Sequence, residues 1–339
     1  VSRESTLPPF EIGGPWKMPD NYSTDRVGPV LDPREEYDVI VLGAGPVGLS
    51  LALGLGATEL KTVVLEQRLE RCSTSRAIGI TPATLEILDR YCVASTLVDR
   101  GVKVRGASVY GTSGLLGRVD FSSLPSKFPF ILSLPQRQTE QILEDAVSQR
   151  DPIRRGFRLT GYRATSGGRC RSGVAVEGRD ESSGAAGEYR GRFLAACDGK
   201  RSTLRALEGI PFSGKDLGRH FVMADLQGDA GLKESEAALF FTAPGSVESF
   251  PLPGGVRRWV VQTPEDHEVA PEGLVQRLVE ERTGIDLGRL EESWRSSFST
   301  ERRLAGSWAE PPLFFAGDSA HLMPPIGGQG MNVGIGDAE

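Results

Sequence analysis

The chain has 339 residues, of which 39% are hydrophobic and 25% charged, the balance of a globular protein with a sizeable core. The formal net charge is −6, and the 39 basic residues are scattered among 45 acidic ones, so no basic block suggests binding to nucleic acid or to an anionic membrane. Four widely spaced cysteines without a CxxC pair indicate reduced thiols and a cytoplasmic protein, and three histidines without an HxxxH pair predict no bound metal.

The first part of the chain combines a proline-rich segment with a long uncharged one. Residues 1–36 contain six prolines and little periodicity, which predicts an extended or partly disordered arm. Residues 39–57 include no charged side chain over 19 positions, a length that would suit a membrane span. Because glycines and a proline interrupt this stretch, it favours a buried strand, a tight turn and a buried helix, and we predict no membrane span.

The elements that follow the arm have the order of a βαβ unit. We predict a buried parallel strand over residues 37–42, a turn over 43–48, a helix over 49–57 and a second strand over 61–66.

Further along, the apolar spacing of residues 81–101 predicts one helix, with Thr81 as its cap and Pro82 in its first turn. Other runs predict helices over 137–150 and 274–282, hairpins over 157–194, and strands over 104–134, over 218–263 and just before Gly317. A dinucleotide-type core is therefore split in sequence by two β-rich insertions.

The sequence VIVLGAGPVG carries the first chemical motif. Gly43, Gly45 and Gly48 fit GxGxxG, in which the glycines allow a tight turn, a close approach to a pyrophosphate and close helix packing. Glu66 follows Gly43 by 23 residues, at the end of the second strand, where a carboxylate binds a ribose. The motif predicts a dinucleotide site rather than a glycine-rich turn without a ligand, but leaves NAD(P) and FAD both open.

Two later stretches resemble a known family. FLAACDGKRSTLR is similar to the DG motif of single-component FAD-dependent aromatic hydroxylases, the para-hydroxybenzoate hydroxylase-like flavoprotein monooxygenases. LFFAGDSAHLMPPIGGQGMNVGIGDA resembles the GD motif of that family and the flavin-contacting segment after it. The resemblance implies an α/β fold, in which a Rossmann-type, GR2-like FAD-binding domain is interleaved with a β-sheet-rich substrate domain. The implied division gives residues 37–103, 135–205 and 301–339 to the FAD-binding domain, and residues 104–134 and 206–300 to the substrate domain.

The resemblance also implies site residues. The cofactor-binding residues are expected to be Gly43, Gly45, Pro46, Val47, Gly48, Glu66, Gln67, Arg68, Arg76, Gln136, Asp198, Gly199, Gly317, Asp318, Pro325, Gly328, Gly330, Met331 and Asn332. Ser202 and Arg205 complete the DG pattern, with a surface salt bridge as the alternative for Arg205, and His321 is expected to be structural.

The glycines of the last motif have a physical use. We expect Asp318 to cap its turn, and Gly327, Gly328 and Gly330 to let the main chain run flat against a planar ring. A helix from about Asn332 would point its positive end at that ring. Pro324 and Pro325 are expected near the reactive ring, and no side chain is identified as an acid or base.

The resemblance implies that NADH or NADPH reduces FAD and that O2 then forms a C4a-hydroperoxyflavin. This species would hydroxylate, or epoxidise, an aromatic or polyketide-like small molecule. Two alternatives remain open, namely a redox-silent protein that binds FAD or another ligand, and a flavin reductase or dehydrogenase without oxygen transfer. Because the chain starts without Met and stops inside a motif, we expect a processed or truncated protein whose C-terminal segment is absent or supplied by another chain.

Overall fold

The computed structural model describes residues 35–71, 77–165 and 173–339. Its helices are α1 Pro46–Gly56, α2 Pro82–Arg90, α3 Ala94–Arg100, α4 Gln136–Val147, α5 Thr203–Leu207, α6 Leu274–Thr283 and α7 Gln329–Ala338. Its strands are β1 Glu36–Leu42, β2 Thr62–Glu66, β3 Gly79–Ile80, β4 Val102–Val104, β5 Gly106–Gly111, β6 Gly114–Asp120, β7 Ile131–Ser133, β8 Ile153–Arg155, β9 Phe157–Thr165, β10 Gly173–Asp180, β11 Ala186–Ala196, β12 Phe212–Gln227, β13 Glu236–Thr242, β14 Gly245–Leu252, β15 Val256–Thr263, β16 Glu291–Ala305, β17 Ala309–Glu310, β18 Leu313–Phe315 and β19 His321–Leu322.

The first sheet has a parallel centre. Its strands β18, β11, β1, β2 and β8 lie side by side in that order, and all four of these pairings are parallel. The antiparallel strands β9 and β10 extend the first half of β11, and β17 pairs with β18 at the edge. Strand ends are in register, because Leu42 pairs with both Leu65 and Ala196, and Ala196 pairs with Phe315. The segments that follow β1, β2, β11 and β18 therefore all leave from one edge of the sheet.

Both faces of this sheet are covered, which explains the uninterrupted apolar runs of β1 and β2. Val41 and Val64 belong to the cluster that contains Leu49 of α1. Ile40 and Val63 point the other way, into a second cluster with residues of β9 and β10. All four strand residues are fully buried. The prediction of a buried parallel strand is confirmed for β1, because a strand covered on both faces has no polar side to alternate with.

The second sheet has the strand order β19-β16-β12-β15-β14-β13-β5-β6. One of its faces, which includes Val222 and Trp259, packs against Val275 and Val279 of α6. A third, small sheet has the order β3-β7-β4 and lies against the opposite face, where Ile131 packs beside Ala237.

Some boundaries differ from those that the sequence predicts. Residues 81–101 form two helices rather than one, because Cys92, at φ 59°, takes a left-handed conformation that a helix cannot continue. Helix α1 begins at Pro46 instead of residue 49, since proline suits the first helical position. Thr81 does cap α2, as predicted, by accepting from the Thr84 amide.

The domain division predicted above stays a prediction, and the strands cross it in two places. Residues 131–133 pair within the third sheet, and β16 continues to Ala305, beyond the predicted limit at residue 300. The predicted arm lies outside the described residues up to position 34, and Glu36 already belongs to β1. In the part of the chain that the structure describes, no helix is long and apolar enough to cross a membrane.

Candidate cofactor-binding site

The glycine-rich turn after β1 packs closely in two places and is open in one. A Cβ on Gly43, whose φ is +100°, would lie 2.4 Å from the Cys197 carbonyl oxygen, and one on Gly48 would lie 2.0 Å from the Gly43 oxygen. A Cβ on Gly45 would meet no atom within 4 Å. Gly45 is also the N-cap of α1 and has no side chain to bind the first amides of the helix. The amides of Val47 and Gly48 are therefore available to an anion in that space.

Glu66 lies at the end of β2 and reaches back to this turn. Its carboxylate accepts hydrogen bonds from the Ala44 amide at 2.8 Å and from the Arg68 amide and Nε, both at 2.9 Å. Burial alone would raise the pKa of Glu66, but the bonds from Arg68 and Ala44 outweigh it and hold the pKa below its ordinary value. Glu66 is thus a charged acceptor beside the glycine turn, and the exposed Gln67 follows it. The predicted Arg76 lies outside the described residues.

Asp198 follows β11 and has one oxygen without a protein partner among the described residues. Its Oδ2 accepts from the amides of Thr203 at 2.8 Å and Leu204 at 3.4 Å, at the start of α5. Its Oδ1 is buried and makes no hydrogen bond within the described structure, and burial raises the pKa of the group. Gly199 next to it has φ +79°, and a Cβ there would meet nothing within 4 Å. A buried acceptor beside open space is where a ligand donor would bind.

Arg205 joins two loops of the site. Its Nη1 donates to the Ser319 carbonyl at 2.8 Å, and its Nη2 donates to the Lys200 carbonyl at 2.6 Å. The guanidinium lies 3.8 Å from the centroid of the Phe212 ring. Arg205 is 8% exposed, so the alternative of a surface salt bridge is wrong. The residue holds the loop after β11 against the loop after β18.

The turn after β18 is held by Ser319, and the prediction that Asp318 caps it is wrong. Ser319 Oγ lies 2.6 Å from the Ala196 carbonyl, to which it donates, and accepts from the Ala316 amide at 3.2 Å. Gly317, at φ +63°, packs so closely on Val47 that a Cβ would lie 2.8 Å from that side chain. The short hydroxyl of Ser319 reaches both strand ends from inside the turn, whereas Asp318 points outward.

Asp318 is exposed to solvent, and yet the protein around it raises its pKa by desolvation. Because the side chain is exposed, solvent screens its charge and the energetic effect of this shift is small. The nearby charges of His321 and Lys200 lower the pKa in part.

The loop before α7 contains the glycines that the sequence singles out. Gly327 and Gly328 have φ +75° and +66°, a conformation that favours glycine, and α7 begins at Gln329 rather than near Asn332. Gly330 therefore lies in the first turn of the helix and not in the loop. A Cβ on Gly328 or Gly330 would meet no atom within 4 Å. Pro324 and Pro325 lead into this open surface, where the first amides of α7 have no side-chain cap.

Asn332 connects this helix to the third sheet. Its Nδ2 donates to the carbonyls of Gly79 at 3.0 Å and Gly328 at 2.7 Å, and its Oδ1 accepts from the Thr81 amide at 2.9 Å. The Asn332 side chain is thus engaged by the protein, and Met331 packs against the core. Any contact of Met331 or Asn332 with a cofactor would therefore come from backbone atoms, and these contacts stay predictions.

Gln136 begins α4 and bridges two other parts of the chain. Its Nε2 donates to Glu140 at 2.8 Å, and its Oε1 accepts from the Ala77 amide at 3.3 Å. Burial raises the pKa of Glu140 above its ordinary value. The hydrogen bond from Gln136 and the charge of Arg68 lower this pKa in part, and the negative charge of Glu66 raises it. Sequence reasoning missed Glu140, although it lies one helical turn after Gln136 in a charged segment.

The predicted residues of the glycine turn, the DG motif and the GD motif thus lie at one edge of the first sheet, where helix α7 joins them through the bond from the Gly317 amide to Asp337. A cavity of about 540 Å³ on the far side of the second sheet is lined by α6 residues such as Arg277 and Arg282, and shares no residue with these motifs. Within the described ranges, no group of three or more His, Cys, Asp or Glu side chains could hold a metal ion.

The residues fit FAD. The space at Gly45, Gly199, Gly328 and Gly330 is not filled by protein, and the orphan oxygen of Asp198 faces no donor of the described chain. Two helix N-termini without side-chain caps suit a pyrophosphate and the ring edge that gains negative charge on reduction.

Comparison with known proteins agrees with this geometry. Residues 36–339 match the family described as FAD binding domain. The chain is 32% identical over 310 residues to the rifampicin monooxygenase of Streptomyces venezuelae, which covers 89% of this chain and 62% of that protein. Among solved structures, the anhydrotetracycline hydroxylase OxyS from Streptomyces rimosus is 30% identical with a TM-score of 0.70, over 90% of this chain and 60% of that one.

The p-nitrophenol 4-monooxygenase PnpA from Pseudomonas putida DLL-E4 has the same fold, with a TM-score of 0.78 at 24% identity, over 90% of this chain and 78% of that one. The chain thus spans about three fifths of the length of the curated relative described above. With a family match over nearly all described residues, the chain belongs to the FAD binding domain family.

Proposed function

We propose that the protein is an FAD-dependent monooxygenase that uses NADH or NADPH and O2 to hydroxylate, or epoxidise, an aromatic or polyketide-like molecule. One observation carries the proposal: the segments after β1, β11 and β18, which are far apart in sequence, meet at the carboxyl edge of one parallel sheet. Ligands of open α/β sheets bind at that edge. Open glycines occur in the segments after β1 and β11 and in the loop before α7, whereas Gly317 after β18 packs against Val47.

Each segment has a distinct task in this proposal. The α1 amides and the open side of Gly45 would bind the pyrophosphate, because both negative charge and close backbone approach are needed there. Glu66 would accept from the adenosine ribose, with Arg68 moving aside from the carboxylate it now contacts. Asp198 and Asp318 would accept from donors nearer the ring. When bound, FAD would supply hydride acceptance from NAD(P)H and the activation of O2.

Helix α7 would stabilise the charge that develops at the ring edge. Its N-terminal amides lie behind two glycines without side chains, so that a planar ring can approach them. A fixed dipole needs no rearrangement when the charge appears, which makes its contribution larger than that of mobile water. The ten-residue helix is tied down by the contacts of Asn332 at one end.

The substrate is assigned by class only. Two relatives are a rifampicin monooxygenase and an anhydrotetracycline hydroxylase, which supports a polycyclic or polyketide-like molecule for this chain. The second sheet, with segments 104–134 and 206–300, is the proposed cover of the substrate space, which would exclude water from the reacting centre.

A titration with FAD followed by NAD(P)H oxidation tests the proposal. We expect bound yellow FAD, oxidation of NAD(P)H that speeds up with an accepted aromatic substrate, and one atom of ¹⁸O from ¹⁸O2 in the product. Stimulated oxidation without labelled product would instead indicate a reductase. Bound FAD without any oxidation of NAD(P)H would indicate a redox-silent binding protein. Failure of the folded chain to bind FAD would exclude the monooxygenase and the reductase, and would leave only a protein that binds another ligand.

A further inference from the structure

Strand β14 carries a carboxylate on an apolar face of the second sheet. Val247 points into the core beneath α6, so the alternation of a strand puts Glu248 on the opposite face. Its neighbours across the sheet are Leu239 on β13 and Val260 on β15, and Met223 lies beyond Val260. Glu248 is half-buried among them. A carboxylate in such a row is costly, and its presence calls for a donor that compensates it.

A chain of contacts connects this face with helix α7. Phe250 lies two residues after Glu248 on the same side of β14 and packs, with Ile131 of the third sheet, in one apolar cluster. Ile131 Cγ2 is 3.6 Å from where a Cβ of Gly79 would lie, and the Gly79 carbonyl accepts from Asn332 of α7. Glu248 therefore shares a face with the residues that contact the small sheet attached to the proposed ring-binding helix.

The same face is rich in aromatic side chains. Phe221 and Phe298 are stacked with their centroids 5.0 Å apart and their planes at 7°. Phe241, two residues after Leu239, is 58% exposed. Such a surface suits flat apolar rings, which stack on one another in offset arrangements.

The other acidic group of this face already has a cationic partner. Arg258 donates from Nε to Asp225 at 2.6 Å and from Nη2 at 2.7 Å, so that the pair neutralises itself. For Glu248, no basic side chain of the described residues lies within ion-pair distance. Burial raises the pKa of Glu248, and the hydroxyl of Ser246 lowers it only in part. Glu248 is thus an acceptor with capacity for a further donor.

We propose that Glu248 is a substrate-positioning residue whose carboxylate accepts a hydrogen bond from a phenolic hydroxyl group, while the ring of the substrate lies on the aromatic face of the second sheet. This inference rests on the proposed function, since it assigns a residue and a chemical class to the substrate of the same site. With this hydrogen bond, the site would bind hydroxylated rings more tightly than rings of the same size that lack a donor.

The test compares phenols with their methyl ethers. The FAD-loaded chain is titrated at pH 7.5 with 1-naphthol and 1-methoxynaphthalene, and with 4-phenylphenol and 4-methoxybiphenyl, and binding is followed through flavin absorbance. We expect wild type to bind each phenol about tenfold more tightly than its ether, the ratio that a hydrogen bond to a charged group produces. Glu248→Leu should bring the ratio close to one, and Glu248→Gln should leave an intermediate ratio. The exposed Glu291→Gln serves as the matched control and should keep the wild-type ratio.

The affinity for FAD and the thermal midpoint are measured in parallel, and both should be unchanged in Glu248→Gln. A phenol preference that survives in Glu248→Leu and Glu248→Gln overturns the inference, as does a wild type that binds ethers and phenols equally or binds neither. In those cases FAD binding and NAD(P)H oxidation would still support the proposed function, whereas loss of FAD binding in wild type would remove that function itself.

Discussion

His321 and Asp337 form a part-buried, hydrogen-bonded pair in which Nε2 and Oδ2 are 2.6 Å apart. The same Oδ2 accepts from the Gly317 amide at 2.8 Å. The last turn of α7 is thereby fixed to the turn after β18, and the helix is oriented at both ends, since Asn332 holds its start. Through this pair His321 has the structural role that was expected for it. The sequence did not reveal Asp337 as its partner.

The pair makes stability depend on pH. The hydrogen bond that His321 donates to Asp337 raises the pKa of His321 above its ordinary value, although burial alone would lower it. Because the folded pKa is the higher one, the stabilisation is fully present below the unfolded value of about 6.5 and is lost as pH rises through the folded pKa. We expect His321→Asn to cost about 1–3 kcal/mol near pH 6 and less at pH 9. Urea unfolding of both proteins at the two pH values measures it, and an equal loss at both would contradict the assignment.

Substitutions at two glycines of the first motif should distinguish an effect on stability from an effect on cofactor binding. Gly48→Ala places a Cβ 2.0 Å from the Gly43 oxygen and should destabilise the protein by about 1–3 kcal/mol. Gly45→Ala meets open space at φ −83°, so its stability should stay within about 0.5 kcal/mol of wild type. We expect this second variant to lose about tenfold in FAD affinity, or 1.4 kcal/mol. Thermal unfolding and FAD titration of both variants decide; normal FAD affinity in Gly45→Ala would place the pyrophosphate elsewhere.

The sequence located those parts of the site whose geometry is local. The glycine turn and Glu66 were predictable because strand, turn, helix and strand follow one another directly. Ser319 was not predictable as the capping residue, because its partner Ala196 is 123 residues away in sequence and is brought near only by the pairing of β11 with β18. For Glu248, alternation alone cannot tell which face of β14 is covered by a helix. The break at Cys92 was missed since nothing in the apolar spacing of α2 and α3 marks a left-handed residue.

A substitution at Arg205 should lower stability and FAD affinity, because its side chain joins two loops of the site. Arg205→Lys keeps the charge but cannot donate in the planar fork to Ser319 and Lys200, so we expect a loss of about 1–3 kcal/mol. FAD affinity should fall as well, because Asp198 and Asp318 stand on the two loops. The exposed Arg201→Lys is the control and should change neither property. Calorimetry with and without FAD measures both, and a variant as stable as the control would show that the two carbonyl contacts contribute little.

The Asp318 carboxylate should lower the stability of the fold slightly and increase the affinity for FAD. Desolvation raises its pKa, so the charged form is disfavoured in the fold, and the penalty is present above the folded pKa and vanishes below the unfolded value of about 3.9. Asp318→Asn should therefore be as stable as wild type or more so at pH 7, by less than about 0.5 kcal/mol because the side chain is exposed. At pH 3.5 the difference should disappear.

The same substitution should weaken FAD binding about tenfold, or 1.4 kcal/mol, because an amide is a weaker acceptor than a carboxylate for a hydroxyl donor. Asp99→Asn, on the exposed side of α3, is the matched control for both measurements. Urea unfolding at the two pH values and an FAD titration at pH 7 separate the effects. If Asp318→Asn lost stability at pH 7 but bound FAD normally, Asp318 would be a structural residue of the turn, and the cofactor would have to contact the chain without it.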